Sequence, residues 1–281
     1  MRLVEYASSD SDSDTHNDNN NEAPPPPLPA AFHDLYAGPP RLSRTDDPSL
    51  HGGRTRLVPH VEGNWAAHIY LEWHPTKAEH DLLSTLLAAA IPSSTTPLTS
   101  LLASALAPLP LHVSLSAPLI LRSETKDAFR ASMTTALGNA LRSLPDVAAA
   151  GCLKLSPARV AWYPNNERTR GFLVLQLATS GQDGGRPLEV LLRAANAVAE
   201  RNGCPQLYAD ERGLNADKCH ISIGWGLEPD AFPMGPVDLP PAAAAIEAEV
   251  QKMSIGFSDV KVKIGRDVTS VPFARTKPRH T

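Results

Sequence analysis

The chain of 281 residues is 42% hydrophobic and 20% charged, with a formal net charge of −4, values ordinary for a large globular domain with a real core. Six of its acids (Glu5, Asp10, Asp12, Asp14, Asp18 and Glu22) stand in the first 22 residues beside Arg2 alone, which leaves a body of net +1; such a body neither advertises nor forbids an RNA substrate, since a local basic cleft suffices. No run approaches the ~18 apolar residues of a membrane-spanning helix or the pattern of a signal peptide, and Cys152, Cys204 and Cys219 form neither a CxxC pair nor an even set, so a soluble intracellular protein with reduced thiols is expected.

Residues 1–50 run from an acidic Ser/Asp/Asn tract into "APPPPLPAAF". That composition buries too little apolar surface to offset chain entropy, so this segment is expected to be a disordered tail and residues 51–281 the folded domain. "WAAHIYLEW" (65–73) alternates as a strand does, and "KAEHDLLSTLLAAA" (77–90) has helical spacing. "IPSSTTP" ends that helix. A shorter helix, "LTSLLASAL" (98–106), precedes the strand "LHVSLSAPLIL" (111–121), and the longest amphipathic helix follows at 124–144. Strands are expected around "LKLSPARVAWY" and "GFLVLQLA", joined by the polar tip "YPNNERTR". The helix "LEVLLRAANAVAERNG", the strand "KCHISIGWGL" and the helix "PAAAAIEAEVQKM" come next, and "IGFSDVKVKIG" with "VTSVPF" closes the chain as a hairpin. The mixture reads as α+β. Two similar strands suggest two lobes, each giving one strand to a shared cleft.

Those two strands are "LHVSLS" (111–116) and "CHISIG" (219–224). Residues two apart in a strand share a face, so His112 stands beside Ser114 and His220 beside Ser222, while Val113, Leu115, Ile221 and Ile223 point into a core. One His-x-Ser is expected by chance among ten histidines, but two copies with apolar residues at both alternate positions arise on the order of once in a hundred. Two facing histidines suit cleavage of an RNA phosphodiester. One neutral imidazole takes the proton of the ribose 2′-hydroxyl, and the other, protonated, gives a proton to the departing 5′-oxygen. The serines donate hydrogen bonds to nonbridging phosphate oxygens, where charge builds. No metal or other cofactor is expected: there is no HExxH, and Cys219 beside His220 points to the opposite strand face.

Paired His-x-Ser strands resemble the two-histidine (2H) phosphoesterase superfamily, whose fold is two-lobed and pseudo-symmetric, with antiparallel sheets lining a central cleft and helices outside. Within it the chain is similar to the U6 small nuclear RNA phosphodiesterase family from Gly52 onward. The resemblance is carried by "GGRTRLVPHVEGNWAAHIYLEW", "LPLHVSLS", "NNERTRGFLVLQL", "CHISIGWGL" and "VKVKIGRDVTSVPF". It implies a monomeric nuclear 3′–5′ exoribonuclease that trims the uridine-rich 3′ end of U6 RNA, leaving a 2′,3′-cyclic phosphate or a 3′-phosphate. His112 and His220 become the catalytic pair, Ser114 and Ser222 the phosphate-binding hydroxyls, and Tyr208 the ring that packs on the terminal base. Arg168 and Arg170 on the hairpin tip reach toward RNA phosphate or solvent. The four tryptophans, His60, His68 and His74 read as structural. The alternatives are a 2′,3′-cyclic phosphodiesterase acting on other RNA ends and a catalytically idle RNA-binding module.

Overall fold

Strict apolar alternation builds the central sheet. In β1 (Asn64–Trp73) Ala67, Ile69, Leu71 and Trp73 are buried, while His68, Tyr70 and Glu72 between them face the other way. The computed structural model describes residues 61–90, 98–102, 110–165, 168–178, 185–227, 235–237 and 239–273, all within one compact unit, Asp46–Thr281. The tail expected at residues 1–50 lies outside the described residues, as do His60 and part of the hairpin tip.

Eight strands form a continuous antiparallel path. In order across the sheet they are β11 (Gly235–Pro236), β6 (Pro157–Pro164), β7 (Gly171–Leu177), β10 (His220–Gly226), β3 (Leu111–Ser114), β1, β13 (Asp259–Ile264) and β14 (Asp267–Pro272). β2 (Thr99–Ser100) pairs with β10 and β4 (Leu119–Arg122) with β1, giving ten strands. The two lobes foreseen in the sequence are thus the two halves of one sheet, meeting where β3 pairs with β10. One cross-strand row ties the halves together: Leu71, Val113, Ile221, Leu175 and Val160 are successive partners, each at most 1% exposed. Burying such a row contributes about 1.5–3 kcal/mol per side chain, and it pins the register, because a one-residue slip would turn every polar residue of the opposite face into the core.

Helices cover that apolar core. α1 (Lys77–Ala90) starts with a capping box, in which the Thr76 backbone N–H donates to Glu79 Oε2 at 2.7 Å and the Glu79 N–H donates back to Thr76 Oγ1 at 3.3 Å. Its buried face is His80, Leu83, Leu86, Leu87 and Ala90. α2 (Lys126–Arg142) buries Phe129, Met133, Leu137, Ala140 and Leu141, and packs on β13 and on α4 (Gly185–Arg201). Pro145 then opens the short α3 (Pro145–Ala150), and α5 (Pro241–Gln251) packs on β6. β5 (Leu153–Leu155) with β12 (Ile255–Phe257), and β8 (Ala209–Asp210) with β9 (Gly213–Leu214), form two small ribbons. β13 and β14 form the expected closing hairpin, whose turn needs a glycine: Gly265 has φ +62°, and a Cβ there would lie 2.7 Å from Trp65.

Four runs differ from expectation: "LKLSPARVAWY" divides into β5 and β6 and "IGFSDVKVKIG" into β12 and β13, in different sheets, and the other two have local causes. Within "LTSLLASAL", Thr99 and Ser100 are extended and pair with Trp225 and Gly224. The far end of β10 supplies their backbone partners, and the Leu101 N–H donates to the Ile223 carbonyl. The run 111–121 splits into β3 and β4 because Ser116 takes over the local hydrogen bonding. Its buried hydroxyl accepts from the Ile69 N–H and donates to the Ala117 carbonyl.

Candidate active site

The seam between the half-sheets brings the two His-x-Ser pairs together. Val113 pairs with Ile221, so in an antiparallel ladder His112 lies across from Ser222 and Ser114 across from His220. Four side chains from positions about a hundred residues apart thus form a square, with like groups on the diagonals. Their alternate neighbours Val113, Leu115, Ile221 and Ile223 are fully buried on the opposite face, which fixes which side the polar groups must take.

Each histidine has a flanking strand, and the two flanks differ. On β1, Glu72 is the partner of His112 and Tyr70 the partner of Ser114. On β7, Gln176 is the partner of His220 and Val174 the partner of Ser222. Gln176 accepts from Arg159 Nε at 2.6 Å and from the Tyr163 hydroxyl at 3.2 Å, and its Nε2 donates to the Asp217 carbonyl. Lys261, the β13 partner of Tyr70, is held by Asp259 and Ser270.

The His220 ring is oriented from behind. Its Nδ1 lies 2.7 Å from the Lys218 carbonyl oxygen, which can only accept, so Nδ1 carries a proton and Nε2 is the nitrogen free to exchange one. Burial holds the pKa of His220 below its ordinary value; the Lys218 carbonyl opposes that shift and the nearby His112 adds to it. His112 is open to solvent on the sheet face, yet the protein crowded around it strips enough water to lower its pKa as well, against the pull of Glu72, which favours the charged form.

Tyr208 reaches the same site. It is half-buried with φ +53°, its hydroxyl oxygen lies 3.3 Å from His220 Nδ1, and its ring centroid is 6.2 Å from that of His220. Tyr163 approaches His220 from β6 at 5.6 Å. Burial raises the Tyr208 pKa well above the ordinary phenol value, so it stays protonated. Arg170 lies over the Phe172 ring. Trp73, Trp162 and Trp225 are buried, and Trp65 packs under Lys126 with its Nε1 donating to Ser123, so the tryptophans are packing residues as read. Cys219 is buried in the core with its thiol pushed up to about 12.

His68, read from the sequence as structural for want of a serine two residues on, stands in the site. Its Nε2 is 3.1 Å from Ser114 Oγ, and its ring lies 5.1 Å from Tyr70 and 5.4 Å from His112. The sequence missed Tyr70, Glu72, Tyr163 and Gln176 too. The signal for three of the five was the alternation in "HIYLE", which puts His68, Tyr70 and Glu72 on one face. Among the described residues no group of three or more His, Cys, Asp or Glu side chains is arranged to hold a metal ion.

The single antiparallel sheet, with helices on its apolar face, sets the two oppositely running His-x-Ser strands side by side in one α+β fold. Residues 26–272 match the family model HVSL, described as an uncharacterised conserved protein, and the chain belongs to that family. It is 36% identical over 215 residues to U6 snRNA phosphodiesterase 1 of Neurospora crassa, covering 69% of this chain and 57% of the relative. The human U6 snRNA phosphodiesterase 1 is 27% identical over 180 residues, with 64% and 57% covered. The matched region therefore spans little more than half the length of these curated relatives. The solved structure of Kluyveromyces marxianus Usb1 is 14% identical with a TM-score of 0.49, over 74% of this chain and 97% of that one.

Proposed function

We propose that the chain is a nuclear 3′–5′ RNA exonuclease that trims the uridine-rich 3′ end of U6 small nuclear RNA, acting as a monomer by metal-independent transesterification. The observation that carries this reading is the square of two imidazoles and two hydroxyls on one open sheet face. The relatives named U6 snRNA phosphodiesterase 1 supply the substrate class.

The penultimate 2′-hydroxyl attacks the terminal phosphodiester. His220 Nε2 takes its proton as the 2′-O–P bond forms; His112, which Glu72 helps to keep protonated, gives a proton to the 5′-oxygen as the P–O5′ bond breaks. Ser114 and Ser222 donate to the nonbridging oxygens, and the Tyr208 ring receives the terminal base. The immediate product end is a 2′,3′-cyclic phosphate, and its opening by water would give a 3′-phosphate.

Synthetic uridine-tailed RNA incubated in EDTA and followed by mass analysis tests this. Stepwise shortening supports the exonuclease. Opening of a cyclic end without shortening supports a cyclic phosphodiesterase, and unchanged RNA a binding module. A 2′-deoxyribose at the penultimate nucleotide must block removal of the last one, because no nucleophile then remains; metal-activated water needs no such group. Ready trimming of that substrate overturns transesterification.

A further inference from the structure

Ser114 and Ser222 hold equivalent places in the square, but their neighbours are unequal. Beside Ser222 the flanking strand supplies Val174. Beside Ser114 it supplies Tyr70 and, one step further along β1, His68 with Nε2 3.1 Å from the hydroxyl oxygen. The two residues are 46 apart in sequence, and His68 is wedged against Tyr70 and the edge of His112.

The charged form of His68 is disfavoured there. Burial, His112 and the facing Lys263 of β13 lower its pKa to about 4. A neutral imidazole has one N–H and one lone pair, so the contact with Ser114 has two forms. If Nε2 accepts, the serine proton is spent on His68, and Oγ turns its lone pairs toward an incoming phosphate. If Nε2–H donates, Oγ is anchored and its own proton points to the open face. Only the second form serves an anionic substrate.

We propose that His68 is a positioning residue: its Nε2–H donates to Ser114 Oγ and aims the serine proton at the scissile phosphate, so that one of the two phosphate-binding serines is braced and the other is not. The proposal rests on the transesterification reading for its kinetic consequence but not for its tautomer.

His68→Phe keeps a ring of similar size without the N–H, and His68→Gln restores a donor near the Nε2 position. Trimming of uridine-tailed RNA is measured for both variants, alone and combined with Ser114→Ala or Ser222→Ala. Loss of one hydrogen bond to a group that serves a charge predicts a fall in kcat of about tenfold for His68→Phe, largely recovered in His68→Gln. On the Ser114→Ala background His68→Phe costs less than about twofold, and on Ser222→Ala its full effect, since only the first pair is coupled. Equal factors on both backgrounds overturn the proposal, as does a His68→Gln variant no better than His68→Phe. Nitrogen NMR of the wild-type protein at neutral pH gives a reading that needs neither activity nor a folded variant. Nε2 of His68 is expected to carry the proton, and a proton on Nδ1 instead overturns the assignment. Wild-type protein that leaves RNA unchanged while Nε2 is protonated would sink the nuclease reading and leave the His68–Ser114 bond standing.

Discussion

The two halves of the sheet repeat a geometry and vary its chemistry. Each gives one central strand with His-x-Ser and one flanking strand behind it. On the β1 side the flank is charged and aromatic: Glu72 opposite His112, Tyr70 opposite Ser114, and His68 on the serine hydroxyl. On the β7 side it is neutral: Gln176 opposite His220 and Val174 opposite Ser222, with the ring of His220 fixed by a backbone carbonyl. A duplicated frame places two imidazoles symmetrically; the proposed transesterification needs them to differ in protonation, and the flanking strands are where the two halves differ.

Removing either imidazole breaks the comparison most severely. His112→Ala and His220→Ala should each slow trimming by about 10²–10⁴-fold while RNA still binds. A substrate with sulfur in place of the departing 5′-oxygen separates them. Its leaving group needs no protonation, so it should restore much of the rate to His112→Ala and little to His220→Ala. The reverse pattern would exchange the two roles. The serines come next: loss of a hydrogen bond to a charged phosphate is worth about 1.5–3 kcal/mol, or one to two orders of magnitude in rate, with Tm nearly unchanged.

Glu72→Gln makes the first half resemble the second. The carboxylate favours charged His112 against burial, so its removal lowers the His112 pKa further. An acid must be protonated, and rate is lost as pH rises through its pKa. The alkaline limb of the pH–rate profile should therefore move to lower pH, while the acidic limb, set by His220, stays in place. Because burial lowers both imidazoles, the wild-type optimum should lie on the acid side of an ordinary histidine pair. A shift of the acidic limb instead would assign Glu72 to the base.

What the sequence revealed of this site and what it hid have separate physical causes. His112, Ser114, His220 and Ser222 were legible because side-chain alternation is local: two residues apart means one face, and buried Val113 and Ile221 say which face it is. That the two strands are neighbours was suggested only by their likeness, and their pairing depends on a register set across more than a hundred residues. His68 was hidden for the same reason. Its serine is 46 residues away, and no spacing rule reaches a contact made by topology. The strand at Thr99–Ser100 was hidden by its size, since two residues carry no period and the edge of β10 supplies the hydrogen bonds. Helices α1 and α2 were legible to within about two residues from their apolar stripes alone.

The smallest expected effect concerns Tyr208 and sharpens the His220 half. Its hydroxyl lies 3.3 Å from Nδ1 of His220, but that nitrogen has one proton, already given to the Lys218 carbonyl at 2.7 Å. The phenol oxygen is therefore a secondary partner, and Tyr208→Phe should cost no more than about 1 kcal/mol, a few-fold in kcat. Tyr208→Ala removes the ring as well. If that ring carries the terminal base, stacking of about 1–3 kcal/mol is lost, and the loss appears mainly as a raised KM for uridine-tailed RNA. Steady-state kinetics of the two variants decide between ring and hydroxyl. A Phe variant as impaired as the Ala variant, with KM unchanged in both, would make Tyr208 a support for the His220 imidazole and leave the terminal base to another surface.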